Sequence, residues 1–188
     1  MSRAALLVVA IAVAVHVALG IALNGDALLP GDRFAFDAVS HIRSAAGVDV
    51  VKVFTNFSSF PVALLAVAIT ALVIGRRDGR RGPALALVGG FVLVFVLVHL
   101  TKDWWDRPRP AGRLSDVLGK SYPSGHAAYA ISFVACAVAL RSRRLVIAAL
   151  AFAMAIGLSR LYLHVHFLTD VVGGYALAVA VYAALLRP

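Results

Sequence analysis

The chain has 188 residues, 62% of them apolar and only 14% charged, with a mean hydropathy of +0.91; soluble proteins average about 25% charged residues, so the balance excludes a water-soluble globule. The apolar residues run in blocks without strand-like alternation, which excludes a transmembrane β-barrel and leaves an all-α membrane bundle, predicted as a single domain over residues 1–188. The net charge of +9 is not gathered on one aromatic-studded surface, so no nucleic acid is expected as partner, and the single cysteine, Cys136, rules out an internal disulfide.

Ala4–Leu23 is a 20-residue apolar run carrying only His16, long enough to cross a hydrocarbon core of about 30 Å. A cleaved signal peptide, with an apolar core of about 7–15 residues, fits it less well. Residues 24–57 are mixed, with Pro30, Gly31, four Asp and an amphipathic piece at Phe34–Ile42, and predict an external loop with short interfacial helices. Two further runs are joined by a very short turn holding Arg76, Arg77, Arg80 and Arg81, a pattern that prefers the cytoplasm. The polar stretch Thr101–Pro123 follows, then three more runs, the first two separated by Arg141, Arg143 and Arg144. Six spans are thus predicted, at 4–23, 60–75, 83–100, 125–140, 145–158 and 168–186. Several are shorter than the usual 20 residues, so their ends are expected to reach into the polar motifs.

Charge tests this layout. With the termini and the turns 76–81 and 141–144 inside, that side carries nine basic residues and Asp78, or +8; the other nine Lys/Arg and eight Asp leave +1 outside. Both termini are therefore expected in the cytoplasm, and the polar stretches 24–59, 101–123 and 159–170 all face the other side.

Those stretches hold the residues with chemistry. In SRLYLHVHFLTD, Ser159–Asp170, an Arg, two His and an Asp stand between apolar runs, where ionisable groups are costly. If the chain is helical from about Val165, His166 and Asp170 share one face, so the carboxylate holds one imidazole nitrogen and the other is left for a substrate. That is the geometry of an oriented nucleophile or base. A polar cluster that merely ends a helix is the plainer alternative, and His164 faces elsewhere.

KDWWDRPRP, Lys102–Pro110, separates Lys102 and Arg109 by six residues, and Pro108 and Pro110 prevent a continuous helix. Two cations on a stiff loop, with Arg160, can surround a phosphate; they can equally bind an anionic headgroup without turnover. Trp104 and Trp105 read as interface anchors. Asp103, Asp106, Arg107, Arg113, Asp116 and Lys120 read as solvated charges or partners for one another. YPSGH, Tyr122–His126, makes a tight turn before an apolar helix, where Ser124 and the exposed amides donate to an anion and His126 stands beside it as a proton donor. Alone, that turn reads as a helix cap.

In order, KxxxxxxRP (Lys102–Pro110), PSGH (Pro123–His126) and SRxxxxxHxxxD (Ser159–Asp170) closely resemble the three-part signature of the type 2 phosphatidic acid phosphatase superfamily, and the six-span layout resembles its membrane-bound branch. The resemblance implies an acid-phosphatase/haloperoxidase-like helical core and a lipid phosphatase needing no metal and no cofactor. It also implies that His166 attacks phosphorus and is transiently phosphorylated, that Asp170 orients it, and that His126 protonates the leaving oxygen. Lys102, Arg109, Ser124, Gly125 and Arg160 would bind the phosphoryl oxygens. His164 matches a variable position, and a metal site shared with His166 is disfavoured because the chain has no Glu and no cysteine cluster.

The expected partners are the bilayer and a membrane lipid phosphate, met at the external face of the cytoplasmic membrane. Among such lipids the compact chain, without large external insertions, slightly favours polyprenyl (undecaprenyl-type) diphosphate over phosphatidylglycerol phosphate or phosphatidic acid. A lipid phosphotransferase using the same phosphohistidine and a non-enzymatic anion-lipid carrier are the alternatives. Gly89-Gly90 and Gly173-Gly174 would allow close helix packing within one subunit or between two.

Overall fold

The structure, a computed structural model, describes residues 1–23 and 28–186; the start of the predicted external loop at 24–27, and Arg187 of the inner charge count, lie outside the described residues. A long apolar run satisfies its backbone in lipid only as a helix, and α1 (Arg3–Ala22) follows, capped by the Ser2 hydroxyl, which accepts from the Ala5 amide at 3.2 Å. Pro30 opens α2 (Pro30–Ser40), which contains most of the amphipathic piece read from the sequence. Ser44 caps α3 (Ala45–Thr55), accepting from Gly47 N at 3.1 Å, and a 3-10 turn at Asn56–Ser58 leads into α4 (Phe60–Arg77). Then come α5 (Arg81–Trp105), α6 (Gly125–Ala139), α7 (Arg143–Tyr162) and α8 (Leu168–Leu185).

Five of these, α1, α4, α5, α7 and α8, are long and apolar enough to cross a membrane. The predicted span 125–140 is the 15-residue α6, shorter than those five, which covers about 22 Å at 1.5 Å per residue. Its shortness has a physical reason. Ten of its residues are buried and it is packed against α4, α5, α7 and α8, so neighbouring helices rather than lipid set its length. Helix ends do extend into the polar motifs, since α5 carries Lys102 and α7 carries Arg160.

The core forms around α6. Val67 of α4, Phe91 and Val94 of α5, Ala128 and Tyr129 of α6, Ile156 of α7 and Leu177 of α8 are buried together. A second cluster joins Ala35 and Val39 of α2 to Ala127, Leu161 and Val171, holding α2 against α6, α7 and α8 at the end where the polar motifs lie. At the opposite end, Arg80 Nη1 donates to the Ala139 carbonyl at 2.8 Å, so the basic turn 76–81 sits beside the C-terminus of α6.

With no hydrophobic drive between helices in lipid, close approach over small residues matters most. A Cβ at Gly173 would overlap the Tyr122 ring, and one at Gly174 would overlap the Ser124 carbonyl oxygen, with Ala127 Cβ and Ala128 N 3.3 Å away. Of the other pair, a Cβ at Gly90 would come within 2.7 Å of the Tyr182 ring, whereas one at Gly89 would meet nothing within 4 Å. Gly174→Ala therefore pushes against backbone and is expected to cost about 1–3 kcal/mol, while Gly89→Ala is expected to be neutral or to stabilise by up to about 1 kcal/mol. Unfolding of the two variants in detergent micelles compares them.

Candidate active site

Helix α5 stops because Asp106 turns left-handed, with φ of 49°, its amide capping the Lys102 carbonyl at 3.1 Å, and because Pro108 and Pro110 bar a further turn. Lys102 is thus on the last helical turn and only Arg109 is on the loop, a correction to the expectation of two cations held on one loop. Lys102 Nζ donates to the Lys120 and Ser121 carbonyls at 2.7 and 3.3 Å. Trp104 points outward, 80% exposed, as an anchor would. Trp105 instead packs over Gly20 of α1, because successive helical residues are turned by about 100°. Asp106 and Lys120 pair with each other at the surface.

The chain returns to α6 through Ser121, whose amide donates to the Arg107 carbonyl at 2.8 Å. Ser124 precedes α6 in an extended conformation, but its hydroxyl makes no capping bond; it is buried without a protein partner. A cap alone does not account for it. Gly125 opens the helix, where amides lack intrahelical partners. His126 is next, half-buried, its carbonyl held by the Ser58 hydroxyl at 2.8 Å. On α7, Arg160 is buried, donating from Nη1 to Thr55 Oγ1 at 2.7 Å while its Nε has no protein partner. Buried polar atoms left open in this way are uncommon; His16 Nε2 is a third, but Ser124 Oγ and Arg160 Nε are the two among the predicted site residues, where a polar ligand would complete their bonding.

After α7 the chain turns left-handed at His164, with φ of 54°, and the His164 ring lies edge-on to Phe36 with centroids 4.3 Å apart, away from the other histidine. His166 is then in the turn, because α8 begins only at Leu168. The expected helical register from about Val165 is therefore corrected, although the pairing it suggested is present. Asp170, in the first turn of α8, reaches back: its Oδ2 accepts from the Phe167 amide at 2.9 Å and from the Ser121 hydroxyl, and lies 3.3 Å from His166 Nδ1. His166 Nε2 lies 3.1 Å from Arg109 Nη1, which also donates to the Val165 carbonyl at 2.8 Å. With Nδ1 beside a carboxylate and Nε2 beside a guanidinium donor, the hydrogen-bond network assigns the proton to Nδ1 and a lone pair to Nε2.

The structure brings all eight predicted residues to one end of the bundle. Ser124 N donates to the Asp170 carbonyl at 2.9 Å, joining the second and third motifs. Burial, followed by the charges of Lys102, Arg109, Arg160 and His126, holds the His166 imidazole well below its ordinary value of 6.5, so the ring is neutral at pH 7. A neutral imidazole with its lone pair among cations can attack an electrophilic, anionic group. A cavity of about 320 Å³ is lined by Leu28, the loop Arg107–Ala111 and Phe167, so it meets the predicted site residues at Arg109 and is not lined by His126 or His166. Among the described residues no three His, Cys, Asp or Glu side chains gather as a metal would require.

Arg107 reads in the sequence as a solvated charge or a partner for its loop neighbours, and Asp32 is not singled out there. Arg107, only 2% exposed, donates from Nη1 to Asp170 Oδ1 at 2.6 Å and from Nη2 to Asp32 Oδ2 at 3.0 Å, with its guanidinium 4.0 Å above the Phe167 ring. Asp32, in the first turn of α2, is fully buried. Only its place after Pro30, as a helix start, was visible in the chain.

Known proteins bear on this arrangement in two ways. A sequence model of the PAP2 superfamily matches residues 83–187, more than half of the chain and all three motifs; comparison with curated proteins gives no match. Among solved structures, a transmembrane PAP2-type phosphatidylglycerolphosphate phosphatase from Bacillus subtilis superposes with a TM-score of 0.83 at 23% identity, over 94% of this chain and 93% of that one. LpxE from Aquifex aeolicus gives 0.64 at 25% identity, over 84% of this chain and 94% of its own. The helical fold is therefore shared nearly end to end, and the chain is a membrane phosphatase belonging to the PAP2 superfamily.

Proposed function

We propose that the protein hydrolyses the phosphate or diphosphate of a membrane lipid through a phosphohistidine on His166, without a metal. The observation that carries this reading is the two-sided environment of His166, with Nδ1 on Asp170 and Nε2 among cations. The phosphoryl group takes the place beside Nε2, its oxygens bound by Lys102, Arg109 and Arg160, the Ser124 hydroxyl and the Gly125 amide. The open Ser124 and Arg160 atoms gain partners in doing so. His166 Nε2 attacks, the N–P bond forms as the P–O bond to the lipid breaks, and His126 gives its proton to the departing oxygen. His126 then takes a proton from water as that water attacks phosphorus, breaking the N–P bond and releasing phosphate. Positioning and neutralisation of charge supply most of the acceleration in such a transfer.

The end bearing the basic turns 76–81 and 141–144 is the cytoplasmic one in this reading, which puts the site at the external face, where a lipid tail stays in the bilayer as its headgroup enters. The compact chain, without large external insertions, slightly favours polyprenyl diphosphate, with phosphatidylglycerol phosphate and phosphatidic acid as the other substrates to test. The test is phosphate release from these three lipids by purified protein in detergent with excess chelator. Release undiminished by chelator, highest with the preferred lipid and absent in His166→Ala, is expected. Loss of activity on chelation, or an active His166→Ala, rejects the proposal.

A further inference from the structure

We propose that Asp32, on α2, is a positioning residue for the phosphoryl-accepting histidine, acting through Arg107 and Asp170; this rests on the reading of His166 as that acceptor. Asp32 lies outside the residues matched by the superfamily, 83–187, and reaches the site from a helix that carries none of its three motifs. Its Oδ1 accepts from Thr169 N at 2.9 Å, satisfying an amide that the first turn of α8 leaves open, and Thr169 Oγ1 lies 3.0 Å from both of its oxygens. Arg107 completes the cluster, its two terminal nitrogens divided between Asp32 and Asp170, and Nη1 is also 2.8 Å from Thr169 Oγ1.

The charges decide what this division does. Asp32 and Asp170 carry two negative charges and Arg107 one positive, so the cluster keeps a net negative charge against the Nδ1 side of His166. Were Arg107 paired with Asp170 alone, the two would cancel, and the carboxylate facing His166 would be a weaker acceptor. Attack on phosphorus turns the imidazole into a cationic phosphoimidazole whose positive charge is shared with Nδ1–H. Negative charge there stabilises the transition state more than the resting ring, which raises kcat. Substrate oxygens are held by Lys102, Arg109 and Arg160, none of which bonds to Asp32, so KM is not its concern. The groups facing His166 from the elements around it are Lys102 of α5, His126 of α6, Arg160 of α7, Asp170 of α8 and Arg109 of the loop. Asp32 tilts that balance toward the anionic side.

The experiment compares Asp32→Asn, which keeps the shape and removes the charge, with Asp32→Glu, which keeps the charge, scoring activity per folded molecule in detergent. Asp32→Asn is expected to lower kcat by about 10–100-fold, by analogy with the carboxylates that orient metal-bound histidines, with KM unchanged. The His166 imidazole, followed by NMR titration, should deprotonate at a lower pH than in the parent, since a nearby anion has gone. Asp32→Glu should retain more of kcat than Asp32→Asn. An unchanged kcat with only a lowered unfolding temperature makes Asp32 a structural clamp and overturns the proposal, as does a raised KM at constant kcat. Turnover by His166→Ala, measured alongside, identifies failure of the underlying site reading instead.

Discussion

His166→Ala is expected to cut phosphate release from a lipid phosphate by on the order of 10⁴-fold or more, because in the proposed mechanism the residue forms the covalent bond on which both half-reactions depend. Without Nε2 no N–P bond forms, and water has to displace the lipid oxygen in one step. The cations that gather the phosphate remain, so substrate binding should survive and the loss should fall on kcat. Radiolabelled substrate supplies a second readout: an alkaline quench should recover label on the parent protein and an acid quench should lose it, as a phosphoramidate requires, while His166→Ala should carry none. Proton behaviour supplies a third. Because burial and cations depress the His166 pKa, the ring is neutral above that value and becomes protonated, losing its lone pair, only as pH falls through it. NMR titration, with His166→Ala assigning the resonance, should therefore place its midpoint below pH 6.5. A midpoint above 6.5 contradicts the environment described, and label retained on His166→Ala contradicts the nucleophile.

What the sequence disclosed of this site follows from the kind of signal each residue leaves. Lys102, Arg109, His126, Arg160, His166 and Asp170 are charges or imidazoles beside apolar runs, where their cost in lipid makes each conspicuous. The pairing of His166 with Asp170 was reached from helical spacing, yet it is made by a turn at Phe167 and a carboxylate that reaches back to cap it. Spacing of four suits both geometries, so the pair was found for a different reason from the one that holds it. Ser121 lies directly before the YPSGH turn, but a hydroxyl in a polar stretch looks like any solvated serine. Asp32 and Arg107 were unreadable for a stronger reason: their ion pair joins positions 75 apart in the chain, and in either stretch alone each is an ordinary loop charge. Burial that arises only on folding leaves no periodicity. The short α6 was legible as a span at 125–140, but the reason for its length was not, since that answers to α4, α5, α7 and α8 rather than to the bilayer.

Arg107→Ala is expected to be the most destabilising single change at this end of the molecule, by about 3–5 kcal/mol, because it leaves the buried carboxylates of Asp32 and Asp170 without the cation between them. The figure belongs to the broken pair and not to the intact one, whose desolvation offsets much of its attraction. Activity should fall with stability, since Asp170 would be drawn away from His166 Nδ1 to relieve the unpaired charge. Adding Asp32→Asn to Arg107→Ala should recover part of the lost stability by removing one of the two orphaned charges, even though Asp32→Asn alone is not stabilising; that change of sign is the mark of coupling. Arg109→Ala makes the contrast. Arg109 holds the carbonyls of Leu118, Gly119 and Val165, together with His166 Nε2, so its loss strands no buried anion. The Arg109→Ala protein should unfold close to the parent temperature while releasing phosphate far more slowly. Unfolding in mixed micelles and turnover, measured on both arginine variants and the double variant, give the comparison. Equal stability losses for Arg107→Ala and Arg109→Ala, or strict additivity with Asp32→Asn, would show that the two carboxylates do not share the Arg107 charge.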